Sequence, residues 1–423
     1  MAIRKTWERF SSQSLLTGEN DKRGSLFISE LGQVNLGEVN LLRAGVDTIR
    51  QLYTGVCQSD VFDCIKEKYE GGFKEIIELG DIQWLLGSGG ASGYRYRLQN
   101  SALGLILLFG SRYSEFDKDG SHLKIEVSPH YIDRHSVDEI QQQLDQLSQL
   151  LIEYPSASGV AVHVALDLQG WEPPADFERR LVCRSKRKVT YEGLESVEFD
   201  SLSQVSAIYG DRETFLFGTA SALQFTLYRK DIEIRKRDKM HFWHYVWDKS
   251  TGGELSPETA FKHHLSVWRF ELRFHHSVIQ EFGLGIGEKL LTFQQVSQHL
   301  TGLWRKGLDS YRLDKTRTYI DPFWQLITED VEIYQPVKPL LYKRAKKQPG
   351  IGNEKNVLLA LGNLLSIYAR NKFTTQQAYQ YLKASGIWED LIAYWYVKMN
   401  GIDQIYEFID KALNLRRLQG IAA

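Results

Sequence analysis

The stretch ALQFTLYRKDIEI, residues 222–234, decides how the rest of the chain is read. Phe225 and Leu227 alternate with Gln224, Thr226, Tyr228 and Lys230, the period of two that sends one set of side chains into a core and the other to the opposite face of a strand. The polar face therefore carries a tyrosine beside a lysine. Two other stretches repeat the pattern with different chemistry. In VAVHVALDLQ (160–169), Val160, Val162, Val164, Leu166 and Leu168 take one face and Ala161, His163, Ala165 and Asp167 the other. In WRFELRF (268–274), Trp268, Phe270, Leu272 and Phe274 oppose Arg269, Glu271 and Arg273. If the three strands are neighbours in one sheet, a histidine, two carboxylates, a tyrosine, a lysine and two arginines converge on one surface.

Outward from these three, strand patterns recur at 45–55, 93–100, 103–110, 122–129 and 214–219. Helical patterns separate them, among them SVDEIQQQLDQLSQLLIEY (136–154) and SVIQEF (277–282). The order strand, helix, three strands, helix then comes round again, with Gly45-Val46 echoed by Gly159-Val160 and LKIEVSP by WRFELRF. The expectation is an α+β protein made of two duplicated antiparallel-rich sheet units with helices on one face, followed by an all-helical C-terminal domain. The units are placed at 1–155, a DNA-binding or scaffold unit, and 156–287, the catalytic unit, with YPSASG (154–159) as the hinge. Residues 288–423 read as amphipathic helices without a convincing strand.

Composition sets limits. A chain of 423 residues exceeds what one core usually organises, and 43% hydrophobic with 25% charged residues is that of a folded globular protein. A net charge of −1 leaves any attraction to nucleic acid to local clusters, of which RRLVCRSKRK (179–188), RKRDK (235–239) and YKRAKK (342–347) stand out. Such runs are more often plain solvated faces. Three scattered cysteines give neither a disulfide framework nor a zinc spacing, so a reducing cytoplasm is the default setting. The longest apolar run, ALGLILLFG (102–110), is far short of the roughly 20 residues of a membrane span, and no membrane role is expected.

The converging residues suit a narrow chemistry. A histidine with two carboxylates can hold Mg²⁺ or Mn²⁺, and nearby arginine and lysine stabilise the extra charge on a phosphodiester under attack. A tyrosine hydroxyl, ordinarily titrating near pH 10, becomes a nucleophile if a cation lowers that value, and then forms a covalent phosphotyrosyl intermediate. Together these describe DNA nicking and joining. The plainer alternative is an exposed sheet face, where tyrosine is common and Arg/Glu pairs contribute only about 0.2–1 kcal/mol.

TFLFGTASALQFTLYRKDIEI followed by VWRFELRF, with VAVHVALDL upstream, resembles the replication initiation factor family, the rolling-circle initiators of plasmids and filamentous phages and related relaxases of conjugative elements. GVDTIRQLYTG and LKIEVSPHYI are similar to segments before that family's catalytic core, so the resemblance spans roughly residues 45 to 285. It implies that Tyr228 attacks the DNA phosphate and keeps the 5′ end, and that Lys230 steadies the phosphate or the tyrosinate. It puts Asp167, Glu271 and Glu233 at the acids of a divalent metal site, with His163 standing where relatives tend to carry another acid. It also gives the basic run a task, with Arg184, Lys186, Arg187 and Lys188, together with Arg269 and Arg273, gripping DNA. Trp243, Tyr245 and Trp247 would either stack unpaired bases or fill a core. The implied partners are origin DNA with a single-stranded or hairpin nick site, a host helicase and a second copy of the chain.

Other features compete less well. His241, His244, His263, His264, His275 and His276 lack the alternating spacing that presents two imidazoles to one metal. Tyr191 and Tyr209 share no strand face with a lysine. Two rival readings stand: a DNA-binding replication regulator that keeps the fold without catalysis, and a protein whose C-terminal TTQQAYQYLKASGI acts as a helix-turn-helix or docking surface on an N-terminal scaffold. A conjugative relaxase would use the same chemistry as a replication initiator.

Overall fold

The computed structural model describes residues 8–13, 26–71, 76–183, 187–191, 205–209, 214–219, 221–237, 239–252, 260–333, 354–392 and 405–417. The chain forms two compact units, Met1–Arg344 and Ala345–Ala423. The first is built on a twelve-stranded sheet whose strands, in chain order, are β1 (Asn40–Cys57), β2 (Ile76–Leu79), β3 (Ile82–Ser88), β4 (Tyr94–Asn100), β5 (Leu105–Ser111), β6 (Gly120–Val127), β7 (Ile152–Gln169), β8 (Arg187–Tyr191), β9 (Val205–Tyr209), β10 (Thr214–Gly218), β11 (Leu223–Arg229) and β12 (Trp268–Phe274).

Their spatial order is β8-β9-β10-β11-β12-β7-β1-β6-β5-β4-β3-β2. Read from the middle, each half starts with an 18-residue strand, β1 or β7, pairs it with the last strand of its own half, and then counts back to the edge. β1 and β7 pair antiparallel to each other, so the repeat expected from the sequence is present as a repeated strand order. All neighbours run antiparallel except β8 and β9. The architecture is α+β, a large antiparallel sheet with helices and a helical C-terminal region.

The two halves are one sheet, and this corrects the hinge. Residues 154–159 lie inside β7 and pair with β1, with register shifts between Glu153 and Ser156 and between Ala157 and Gly159. The small and proline-bearing residues that look like a linker form β-bulges, which bend a strand and raise its twist without ending it. Gly55 on β1 sits at φ +148°, where an added Cβ would come within 2.4 Å of the Ile152 side chain, so the crossing of the two long strands admits no side chain there.

One face of the sheet is apolar. Val160, Val162, Val164, Leu166 and Leu168 of β7 are joined by Phe225, Leu227, Phe270, Leu272 and Phe274 in a continuous core. The helix Val137–Leu151 covers this face; Ser136 and Glu139 form a capping box at its start, satisfying two otherwise unpaired N–H groups. Helices Phe293–Ser297, Leu300–Ser310 and Pro322–Glu329 add Phe293, Val296, Trp304, Trp324 and Ile327 to the same core. Leu181–Val182 pairs with Arg312–Leu313 in a two-stranded sheet. Residues 288–333 therefore belong to the sheet unit and contain a short strand, where the sequence suggests the start of an all-helical domain. Their 3.6-residue periodicity is real, but the apolar stripe it creates packs on the sheet.

The second unit has its own core, in which Leu361, Leu365, Ala378, Leu382, Ile409 and Leu413 meet. It is helical over Glu354–Arg370, Thr375–Lys383 and Ile405–Arg416, with a Thr374/Gln377 capping box. Among the described residues no helix is long and apolar enough to cross a membrane.

Candidate active site

The three stretches that open the sequence reading are adjacent strands. β12 lies between β11 and β7. On one side Tyr228 stands opposite Arg269, Thr226 opposite Glu271 and Gln224 opposite Arg273; on the other, Asp167 faces Arg269, Ala165 faces Glu271 and His163 faces Arg273. All of these side chains share the face opposite the apolar core.

Glu271 is the hub of the first cluster. The Tyr228 hydroxyl donates to its Oε2 at 3.2 Å, Arg273 Nε donates to Oε1 at 2.8 Å, and His163 Nδ1 lies 3.1 Å from Oε1. Burial would push the Glu271 carboxyl up, but Arg273 and His163 outweigh it and hold it well below the usual carboxylate range. Burial lowers the His163 imidazole despite its hydrogen bond to Glu271, so the neutral ring carries its proton on Nδ1 for that contact to be a hydrogen bond. Burial, reinforced by the Glu271 charge, raises the Tyr228 phenol well above its ordinary value.

The second cluster is centred on the buried Asp167 and Arg269. Arg269 forks onto Asp167, Nε to Oδ1 at 2.5 Å and Nη2 to Oδ2 at 2.7 Å, and Trp247 Nε1 donates to the same carboxylate at 2.9 Å. A third hydrogen bond runs from Arg269 Nη1 to Asp47. Burial opposes the Asp167 charge, and Arg269 overcomes it. The guanidinium stacks on Trp243 at 4.2 Å from the ring centre, and Lys230 approaches that ring at 4.5 Å. Trp243 and Trp247 come from the helix Met240–Ser250, which packs over one end of the polar face; their core-filling reading is the one the geometry shows, while Tyr245 is exposed.

Lys230 departs from its expected strand position. β11 ends at Arg229, whose guanidinium pairs bidentately with Asp231, and Lys230 opens the helix Lys230–Lys236. Asp231 and Glu233 in that first turn suit the positive end of the helix dipole. The ammonium still reaches the site, 5.7 Å from the Tyr228 ring centre and hydrogen-bonded to Glu233 at 2.7 Å. Burial and then Arg269 lower its pKa.

A cavity of about 1000 Å³ opens over this face, lined by Thr226, Tyr228, Lys230, Glu271 and Arg273 together with Arg50 and Glu126 of the first half. Of the nominated metal ligands, His163, Glu233 and Glu271 line it and Asp167 does not. Asp167 is bound by Arg269 and Trp247, Glu271 by Arg273, His163 and Tyr228, and Glu233 by Lys230. Among the described residues no group of three or more His, Cys, Asp or Glu is placed to hold a metal ion. The donor set, each acid already matched by a cation, does not fit a divalent ion.

Arg269 also departs from its expected place on DNA, because its side chain is 0% exposed and committed to Asp167 and Asp47. Arg273, 31% exposed, does face the cavity. Arg184 and Lys186 lie outside the described residues; Arg187 and Lys188 begin the edge strand β8. Sequence reasoning missed Asp47. Its signal is the break in pairing on β1, where His163 pairs with Thr48 and Val164 with Val46, leaving Asp47 as the extra residue of a bulge that turns its side chain to Arg269.

The fold and site thus define a duplicated antiparallel sheet with a half-buried tyrosine beside a carboxylate and guanidinium cluster on one half. No family model and no solved structure matches the chain. It is 36% identical over 380 residues, covering 86% of each chain, to "Uncharacterized protein ORF430" of Pseudomonas phage Pf1. The chain belongs to the family of that phage protein.

Proposed function

We propose that this protein is a phage replication initiator that nicks and rejoins one DNA strand through Tyr228. The observation that carries the reading is the hydrogen bond from the Tyr228 hydroxyl to Glu271 Oε2 in a cavity that also presents Arg273 and Lys230. Tyr228 Oη attacks the phosphorus and the bond from phosphorus to the 3′ oxygen breaks. The phenolic proton passes to Glu271 and then to the departing 3′ oxygen, leaving the 5′ phosphate on the tyrosine. Attack by a 3′-hydroxyl reverses these steps and rejoins the strand. Arg273 and Lys230 offset charge that grows on the phosphate and the tyrosinate. The kinship with a phage protein supports a phage setting over a conjugative one.

One observation favours the regulator without catalysis: the raised phenol of Tyr228 is a poor nucleophile until a phosphate and its cations displace that balance. Supercoiled plasmid bearing the protein's own gene and flanking DNA separates the two readings. Nicked circles formed by the natural protein and absent with Tyr228→Phe support the enzyme; equal binding by both proteins with no nick supports the regulator.

A further inference from the structure

Resting on the phosphotyrosyl reading, we propose that this site transfers the phosphate without a divalent cation, and that Thr226 and Arg273 form the seat a metal would otherwise provide. The carboxylates argue first. Asp167 accepts three hydrogen bonds from Arg269 and Trp247, and Glu271 accepts from Arg273 and Tyr228 with His163 at 3.1 Å. A dication at Asp167 would have to strip the buried Arg269 from that acid, a strongly unfavourable exchange, and at Glu271 it would have to displace Arg273. The charges that a metal supplies in phosphoryl transfer are already present at the cavity as Arg273 and Lys230.

Thr226 argues second and independently. It is 3% exposed, stands between Tyr228 and Gln224 on the polar face, and lines the cavity, yet among the described residues its Oγ1 has no hydrogen-bond partner. A buried hydroxyl left unsatisfied is costly, and a phosphate oxygen beside Tyr228 supplies the missing acceptor. Arg273 reaches the same space. It spends Nε and one Nη2 bond on Glu271 and one Nη1 bond on Gln224, which leaves two of its five N–H groups for the phosphate. The bonds made and broken are those of the proposed reaction, the phenolic proton ends on the 3′ oxygen, and no further reactant is required.

The test uses the full chain and randomised single-stranded DNA labelled at its 3′ end, so that cleavage at any sequence leaves label on the protein. Incubations in EDTA, in Mg²⁺ and in Mn²⁺ are read as label surviving denaturing electrophoresis. Equal labelling in EDTA and in metal is expected. Labelling that appears only with Mg²⁺ or Mn²⁺ overturns the metal-free site and leaves the tyrosine chemistry intact. No labelling in any arm overturns both. Calorimetric titration of Mn²⁺ into the protein gives a readout apart from activity: no saturable binding is expected, and stoichiometric micromolar binding lost in Glu271→Gln would contradict the inference. Thr226→Val, close in shape, should slow labelling in EDTA by about tenfold or more, the value of one lost hydrogen bond to a charged group. Unchanged labelling in Thr226→Val removes Thr226 from the seat.

Discussion

The two halves of the sheet share a strand order and differ in what they do with the same positions. Leu105 pairs with Val127 in the first half as Leu223 pairs with Phe274 in the second, and this register matches Gly110 to Tyr228, Leu108 to Thr226 and Ile106 to Gln224. The strands next to the long central pair match likewise: Glu126 corresponds to Arg273, Lys124 to Glu271 and Arg50 to His163. In the first half the face is a simple salt-bridge ladder, Arg50 to Glu126 at 3.3 Å and Lys124 to Glu126 at 3.2 Å. In the second, the carboxylate has moved one position along and gained a phenol and an imidazole. The comparison teaches that the frame alone makes ion pairs, and that the second half differs by placing a hydroxyl against one of them.

The largest effect that tests this contrast is on Tyr228. Tyr228→Phe should lower nicking by at least about 10³-fold, the scale for losing a covalent nucleophile, with the melting temperature nearly unchanged. Near-full activity in that variant would reduce the second half to the status of the first. Next comes the buried pair. Asp167→Asn breaks a buried pair, leaving Arg269 with only Asp47 against its charge, and should cost roughly 3–5 kcal/mol of unfolding free energy in denaturant titration. Glu126→Gln in the first half breaks partly exposed pairs and should cost no more than about 1 kcal/mol. Equal costs would erase the distinction between the halves.

Acid should act on the second half in two windows. His163 has its folded pKa lowered from 6.5, so the unfolded chain binds the proton more readily; the stability linked to it is complete above pH 6.5 and declines as pH falls below that value. Asp167 and Glu271 have depressed folded values, so their contribution is intact above the unfolded carboxylate pKa of about 4 and is lost as pH falls toward the folded ones. Thermal unfolding followed from pH 8 to pH 3 should show both declines, and His163→Gln should remove the upper one. The smallest expected effect is Lys124→Ala, below about 1 kcal/mol; a large loss there would mean that the first half carries a role in the site.

Much of this was open to sequence reasoning, because alternation at 160–169, 223–229 and 268–274 is strict and each stretch mixes one apolar face with one chemically loaded face. The split into an apolar and a polar face follows from that period, whereas the adjacency of the three strands was an assumption that the sheet order supplies. The bulged residues were not legible. YPSASG reads as a linker since its proline and glycine are residues that mark turns and bulges alike, and Asp47 is hidden because a bulge breaks the alternation that would have pointed to it. The place of Lys230 was lost for a different reason: Arg229 and Asp231 pair and start a helix one residue before the alternation suggests the strand should stop. Helices at 288–333 show their apolar stripe in the sequence, but nothing local says whether that stripe meets other helices or a sheet.

The most direct test of the central claim is to map the covalent adduct by mass spectrometry after incubating the protein with the plasmid that carries its own gene. The account predicts a nucleotide on the peptide containing Tyr228 and none in Tyr228→Phe. An adduct on another residue, or DNA bound without any adduct, would contradict it.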